Sequence, residues 1–266
     1  MKKSLFYFTL FLLFGACTNS KDNSKNETAV TKQDSIETKT PSERIEMAFV
    51  QGGTFTMGCT TEQGGDCTDY EKPAHQVTLS DYKIGKYEVT QAQWKAVMGN
   101  NPSNFSGCDK CPVETVSWND IQDFLRKLNE KTGKTYRLPT EAEWEFAARG
   151  GNKSTKTKYS GSNILDEVAW YERTSGRKTH EVGTKAANEL GIHDMSGNVW
   201  EWCSDWYGDY DASSKTNPKG PSSGSFRVLR GGSWDCNPPG CRVSNRFNYI
   251  PDARLLNGGF RLVLAP

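Results

Sequence analysis

The segment from Arg230 to Leu262 constrains the fold most strongly, because its composition excludes a long helix or strand. It begins with Arg-Gly-Gly-Ser-Trp and ends with Gly-Gly-Phe-Arg-Leu. Between these ends Pro and Gly recur, and the apolar residues follow neither the period of a strand nor that of a helix. The sequence therefore predicts a long, ordered surface loop between two short strands. Loops held on a rigid scaffold are where binding and catalytic residues concentrate.

Upstream of this segment, the pattern indicates short strands and three helices. Residues 49–57 and 75–79 are rich in β-formers and are predicted to be strands. Thr90 and Thr140 each stand three residues before Gln or Glu, a capping box that begins a helix. Ser117 precedes apolar residues spaced along one helical face. From residue 152 onward turn residues and aromatics dominate, so the chain is predicted to be an α+β domain with short strands, few helices and much ordered loop.

The first 43 residues are predicted to be an export signal followed by a tether. Two lysines precede an apolar run that is too short to span a membrane and that ends in Gly-Ala-Cys17. This looks like a bacterial lipobox, with residues 1–17 as the lipoprotein signal peptide and Cys17 as the lipidated residue. An ordinary secretory signal with an incidental cysteine is the alternative. Residues 18–43 are polar and predict a flexible tether, and residues 44–266 form one domain.

This organisation predicts a protein of the bacterial cell envelope, anchored to the membrane through its N-terminal lipid on the periplasmic face or the cell surface. The 266 residues carry a net charge of +1, so there is no electrostatic case for a nucleic-acid partner.

If Cys17 carries lipid, seven cysteines remain, and an odd number in an oxidising compartment leaves at least one thiol free or paired between molecules. Cys59 and Cys67 flank a Gly-rich loop and are predicted to close it. Cys108 and Cys111 form a C-x-x-C without a thioredoxin-like pattern around it, which favours a loop-tying disulfide or two thiols over redox chemistry.

The last three cysteines bear on the segment itself. A bridge from Cys203 to Cys241 would pin the long loop to the core and leave Cys236 alone. The sequence leaves this pairing open.

Long strings in the chain resemble the formylglycine-generating enzyme family, also called sulfatase-modifying-factor domains, over about residues 45–264. The resemblance implies a C-type-lectin-like fold. The family contains oxidases, iron-dependent sulfoxide synthases, surface lipoproteins and hypervariable binding proteins, so membership alone does not fix the function. The matching strings lie at residues 47–55, 87–90, 137–145, 188–202 and in the segment 230–262.

The oxidases of this family place two cysteines, five positions apart, as thiolate ligands of one Cu(I), a metal that soft sulfur suits. By position the ligands here are Cys236 and Cys241, with Ser233 lining the pocket. The chain would then use O₂ to oxidise a cysteine of a sulfatase polypeptide to formylglycine. Downstream the match fails, because the stretch after Cys241 is about three residues shorter than in the oxidases, and copper geometry tolerates little displacement.

The same segment also resembles the variable region of retroelement-diversified proteins in this family. The framework of those proteins is kept here as Cys241-Arg242, Arg246, Pro251-Asp252, Arg254 and Gly259-Phe260-Arg261. The variable positions between these anchors are called slots. Each slot holds a residue type that an AAC codon can encode once its two adenines are randomised. The thirteen slots are Asp235, Cys236, Asn237, Pro239, Gly240, Phe247, Asn248, Tyr249, Ile250, Ala253, Leu255, Leu256 and Asn257.

On this preferred interpretation, residues 235–257 form a variable surface for an unidentified protein or surface ligand, because exposed aromatic and apolar side chains are costly unless they bind a partner. The alternatives are that these side chains fold inward as core, that the protein is the copper oxidase, or that it is a structural or gliding-type lipoprotein. The expected contacts are Asp235, Cys236, Asn237, Phe247, Asn248, Tyr249, Ile250, Leu255, Leu256 and Asn257.

A metal site is also implied by the resemblance. Asn198 and Glu201 match positions that bind a structural Ca²⁺ in relatives, and amide and carboxylate oxygens are suitable ligands. A hydrogen-bonded core turn is the alternative. His75, His180 and His193 are scattered, so the histidine cluster of the iron-dependent relatives is not expected.

Overall fold

The computed structural model describes Met1 and residues 44–264. The predicted signal peptide with Cys17, and the predicted tether, lie outside the described residues. Within residues 44–264 no helix combines the length and the apolar character needed to cross a membrane. The α-helices are α1 (Gln91–Met98), α2 (Trp118–Thr132), α3 (Glu141–Ala148) and α4 (Leu165–Val168). The strands are β1 (Met47–Val50), β2 (Gly53–Met57), β3 (His75–Leu79), β4 (Tyr82–Gly85), β5 (Tyr136–Arg137), β6 (Trp200–Trp206), β7 (Lys215–Thr216), β8 (Arg227–Arg230), β9 (Arg246–Tyr249), β10 (Gly258–Gly259) and β11 (Val263–Leu264).

The described strands form three small sheets, with orders β1-β4-β11-β5, β10-β6-β8-β9 and β2-β3-β7. The second sheet positions the segment 235–257. Its central strands β6 and β8 are antiparallel, and β9 pairs antiparallel with β8, which leaves β9 at the edge. Phe247 lies opposite Leu229, and Tyr249 lies opposite Arg227.

The three predicted helices begin where their caps predict. Thr90, Ser117 and Thr140 each accept a hydrogen bond from a backbone N–H of the first turn, and each completes a capping box. The apolar face of α2 is buried, and Phe124 on that face stacks on Trp94 of α1 with ring centroids 5.1 Å apart. All eight residues of α3 are buried, so this helix runs through the core.

Two strand predictions need correction. The stretch 49–57 is not one strand but part of two, interrupted at Gly52, where a Cβ would stand only 2.3 Å from the backbone oxygen of Leu79. The segment predicted as a loop contains the strand β9, because pairing with β8 imposes an extended conformation that its local sequence does not signal.

The structure confirms the predicted bridge at Cys59, and it decides between the two alternatives left open for Cys108 and Cys111. Cys59 is bonded to Cys67, and Cys108 is bonded to Cys111. Each bridge closes a short surface loop, as the spacing indicated.

Candidate binding segment and thiol site

Ion pairs, four of them buried, fasten the segment 235–257 and its flanks to the rest of the domain. Each of four arginines donates two N–H groups to its own carboxylate partner, at nitrogen–oxygen distances of 2.6 to 2.7 Å. This forked geometry fixes direction as well as distance. All the carboxylates belong to residues outside 235–257. The pairs are Arg230 with Glu145, Arg242 with Glu71, Arg246 with Glu141, Arg254 with Asp120 and Arg261 with Glu201, the first of them through one nitrogen.

In two of these pairs, the arginine lowers the pKa of the carboxyl group that it contacts. Burial by itself would raise the pKa of Glu71, but hydrogen bonds from Arg242 and Ser244 outweigh it and lower that pKa to about 2. The pKa of Glu141 is likewise lowered, because the charges of Arg246 and Arg230 outweigh the effect of its complete burial. Glu71 and Glu141 are therefore held as anions by the arginines that they anchor.

The framework residues and the slot residues of the segment differ in their exposure to solvent. None of the thirteen slot side chains is buried, and those of Asp235, Asn237, Pro239, Phe247, Tyr249, Ile250 and Leu256 are exposed. Six of the nine framework residues are buried, namely Cys241, Arg242, Arg246, Gly259, Phe260 and Arg261. The arginine anchors thus bind inward while the residues between them face solvent.

An aromatic surface forms around Trp200 at the outer side of β9. The ring of Phe247 stacks on Trp200 with centroids 5.4 Å apart and lies 6.4 Å from the ring of Tyr249. Phe247 is 43% exposed, Tyr249 41%, Ile250 48% and Leu256 52%. These fractions exclude the alternative in which the four side chains fold inward as core.

Polar contacts order one end of this surface. Asn257 donates from Nδ2 to both carboxylate oxygens of Asp235, at 3.0 and 3.1 Å. The Ser233 hydroxyl donates to Asp235 Oδ1 at 2.6 Å. The two ends of the segment are therefore tied together, which restricts the conformations that its exposed residues adopt.

Cys203 and Cys241, whose pairing the sequence left open, are not bonded to each other. Both are free, buried thiols. Cys203 of β6 packs in the main core with residues of α3, whereas Cys241 packs in a separate cluster with Tyr159 and Tyr171. The two residues belong to different parts of the interior and do not meet.

Cys236 is also free, and it packs against the cluster that contains Cys241. Its Sγ lies 3.2 Å from the Ser233 hydroxyl. The structure therefore brings together the three residues that the resemblance to the oxidases selects, Ser233, Cys236 and Cys241.

The environment of the two thiols opposes metal binding. Burial raises the pKa of Cys236, and burial together with the neighbouring Cys236 raises the pKa of Cys241 further. The thiolate is the form that binds a metal, so such shifts disfavour it. Cys241 has no exposed surface. The donor atoms suit Cu(I), but a closed second thiol does not provide the open position at which a substrate thiolate and O₂ would react.

The predicted calcium ligands are occupied by protein groups. Both carboxylate oxygens of Glu201 accept hydrogen bonds from Arg261, and Oε2 also accepts one from Trp144. Asn198 Oδ1 accepts a hydrogen bond from the His180 backbone at 3.0 Å. A Ca²⁺ ion at this pair would therefore compete with hydrogen bonds that the protein already makes, and calcium binding here stays a prediction.

Sequence reasoning missed two acidic neighbours of this turn. Glu88 accepts hydrogen bonds from Asn198 Nδ2 and the Val199 backbone, and burial raises its pKa. Burial also raises the pKa of Asp194 to about 6, and its Oδ1 has no hydrogen-bond partner among residues 44–264. Both residues stand in the strings that carry the family resemblance, which was the available signal.

Comparisons with known proteins agree with this geometry. Residues 32–266 match the sulfatase-modifying factor enzyme 1-like domain. A chaperone protein LppX from Paenibacillus barcinonensis is 41% identical over 239 residues, covering 71% of this chain and 78% of that protein. A formylglycine-generating enzyme from Streptomyces coelicolor is 37% identical over 191 residues, covering 65% of this chain and 58% of the enzyme.

Among solved structures, Treponema denticola variable protein 1 is similar to this chain. It is 37% identical, with a TM-score of 0.76 over 83% of this chain and 95% of that one. The C-type-lectin-like α+β fold expected from the sequence is thereby confirmed. The chain belongs to the formylglycine-generating enzyme family, the family of sulfatase-modifying-factor domains.

Proposed function

We propose that this protein is a lipid-anchored protein of the bacterial cell envelope that presents residues 235–257 as a variable ligand-binding surface. One observation carries the proposal: none of the slot residues is buried, while six of the nine framework residues are. A surface built this way accepts new side chains without repacking the core.

The residues that stabilise the segment are different from the residues that would contact a ligand. Buried, bidentate arginine pairs hold the backbone, and removing one partner of such a pair is strongly destabilising. Exposed Phe247, Tyr249 and Leu256 contribute little to the core, but they supply the rigid aromatic and apolar contacts that binding surfaces use. The likeness to Treponema denticola variable protein 1 supports the same function.

Envelope anchoring rests on the N-terminal sequence. The apolar run ending in Gly-Ala-Cys17 is the signal for lipidation, and the membrane is then a partner through that lipid. The ligand itself is a protein or another surface component that contacts the exposed aromatic set.

The gene's own DNA tests this function. If the slots arose by randomising adenines of AAC codons, all thirteen slot codons end in C, and an adenine-rich near-copy of the segment lies near a reverse-transcriptase gene. Sequencing the locus in several isolates should show substitutions confined to the slots. Slot codons ending in other bases, with no near-copy, would contradict the proposal.

A copper-dependent oxidase acting on a sulfatase polypeptide is the second candidate, favoured by the close approach of Ser233, Cys236 and the cluster that contains Cys241. In that case Cys236 and Cys241 would hold Cu(I), and the metal would supply the activation of O₂. The closed position of Cys241 is the reason for ranking this function second.

A copper titration separates the two functions. We expect the purified protein to bind Cu(I) weakly in competition with a chelator, and to leave a peptide with the pattern C-x-P-x-R unmodified by mass spectrometry. The matched variants are Cys236→Ser and Cys203→Ser, of which the second removes a free thiol that packs in a different cluster from Cys236 and Cys241. Stoichiometric binding that Cys236→Ser abolishes and Cys203→Ser retains would establish the oxidase instead.

A further inference from the structure

A second site lies on the other side of β9 from the aromatic surface. Because successive side chains of a strand point to opposite faces, Arg246 points away from the side that Phe247 faces. There it lines a cavity of about 420 Å³ together with the N-terminus of α3, the end of β6 and residues 208–221. That volume falls within the range of small-molecule pockets.

The most unusual group in the cavity wall is Asp205, which is 3% exposed. Its Oδ2 accepts hydrogen bonds from the Glu141 backbone at 3.1 Å and from the Ser204 hydroxyl at 2.8 Å. Its Oδ1 accepts none from residues 44–264. Gly220 leaves space beside it, since a Cβ at that position would lie 3.3 Å from Oδ1 and 2.9 Å from the Asp205 Cβ.

Asp205 differs from the other acidic groups around the cavity, because two of those are paired and Asp209 is exposed to solvent. Glu141 is paired with Arg246 at 2.7 Å, and Asp211 is paired with Lys215 at 2.8 Å. Asp205 has no ion pair within the described part of the chain. A buried carboxyl without a counter-charge favours its neutral form, and a cation entering the cavity would stabilise the charged form.

We propose that this cavity binds a small organic molecule through a primary ammonium group that donates a hydrogen bond to Asp205 Oδ1. The apolar part of the wall includes Met57, Ala142, Trp206 and Pro221, which suit the body of an alkylamine. A bare metal ion is disfavoured, because residues 44–264 contain no group of three His, Cys, Asp or Glu side chains arranged to hold one.

The protonation state of Asp205 supports this site independently of its shape. Burial, followed by the negative charge of Glu141, raises the pKa of Asp205 to about 7. A perturbed carboxyl in a cleft is typical of a functional site. The charged or titratable groups that act on Asp205 or line the same cavity are Glu141, Glu143, Arg137, Arg227, Cys203, His75, Asp209, Tyr210, Asp211, Lys215, Lys219 and Arg246.

The test uses n-hexylamine as the probe and n-hexanol as its uncharged match. Binding is followed by shifts of the backbone amide resonances of Asp205 and Gly220 in the purified protein. We expect millimolar affinity for the amine and none for the alcohol. Because a primary amine stays protonated below about pH 10 while Asp205 ionises near pH 7, affinity should rise about tenfold from pH 6 to pH 8.

Two variants sharpen the result. Asp205→Asn keeps the shape of the side chain and should abolish amine binding, whereas Lys219→Ala removes a cation of the cavity rim and should retain it. Equal binding of amine and alcohol, binding that does not change between pH 6 and pH 8, or shifts only at other residues would each overturn the proposal. These outcomes in the unaltered protein decide the question even if Asp205→Asn fails to fold.

Discussion

Replacing Arg242 by alanine is expected to lower the free energy of unfolding by about 3–5 kcal/mol, because it leaves the carboxylate of Glu71 buried without its partner. Arg242 is 1% exposed and Glu71 is fully buried. The two residues are 171 positions apart in sequence, so their pair joins the segment to the N-terminal part of the domain. Urea unfolding followed by tryptophan fluorescence measures the change.

Arg254→Ala is the matched control. Arg254 holds Asp120 with the same fork and the same 2.7 Å distances, but its side chain is 59% exposed. Solvent screens such a pair, so the unfolding midpoint should scarcely move. An equal loss of stability in both variants would show that burial is not what makes the Arg242 anchor strong.

The pH dependence of the Arg242 effect follows from Glu71. Its folded pKa is lowered from the ordinary 4.5 to about 2, so the stability that the charged form contributes is present above pH 4.5 and is lost as the pH falls through about 2. The difference between the native protein and Arg242→Ala should therefore shrink in acid. A difference that stays constant down to pH 2 would argue against an ion pair.

Asp205→Asn is expected to stabilise the protein by up to about 4 kcal/mol at pH 8 and to have little effect at pH 4. The folded pKa of Asp205 is raised from 3.8 to about 7, because burial disfavours its charge. For a raised pKa, the stabilising contribution is present below 3.8 and is lost as the pH rises through about 7. The native protein therefore bears the full cost of the buried charge only above neutrality.

Thermal unfolding between pH 4 and pH 8 measures this effect. Asp209→Asn serves as the control, since Asp209 lines the same cavity with an exposed side chain. A stabilisation by Asp205→Asn that is already complete at pH 4 would mean that Asp205 does not titrate near neutrality.

Local signals made the capped helices predictable from sequence. Thr90, Ser117 and Thr140 satisfy backbone donors within a few residues of themselves, so the sequence around each one contains the reason for its conformation. The same holds for the disulfides at 59–67 and 108–111, which close short loops.

Features that depend on distant partners were not predictable in the same way. Strand β9 has a charged residue facing inward and aromatic residues facing outward, the reverse of the usual pattern, and only its pairing with β8 and the buried Glu141 explain it. The sequence could not decide whether Cys203 and Cys241 are bonded, because their separate clusters are defined by packing that no spacing reveals. Asp205 gave no sequence signal, since a single acid at the end of a strand is ordinary until its burial is known.

The position of β9 at the edge of its sheet has a consequence for any diversified sequence it carries. An edge strand offers unpaired backbone groups to other chains, and random apolar side chains there would promote aggregation. Strand β9 is only four residues long, and Pro251 lies two positions after its last residue. Its edge is therefore too short to pair over a long stretch with a strand of another molecule. The brevity of this strand allows it to carry exposed aromatic residues without promoting association between molecules.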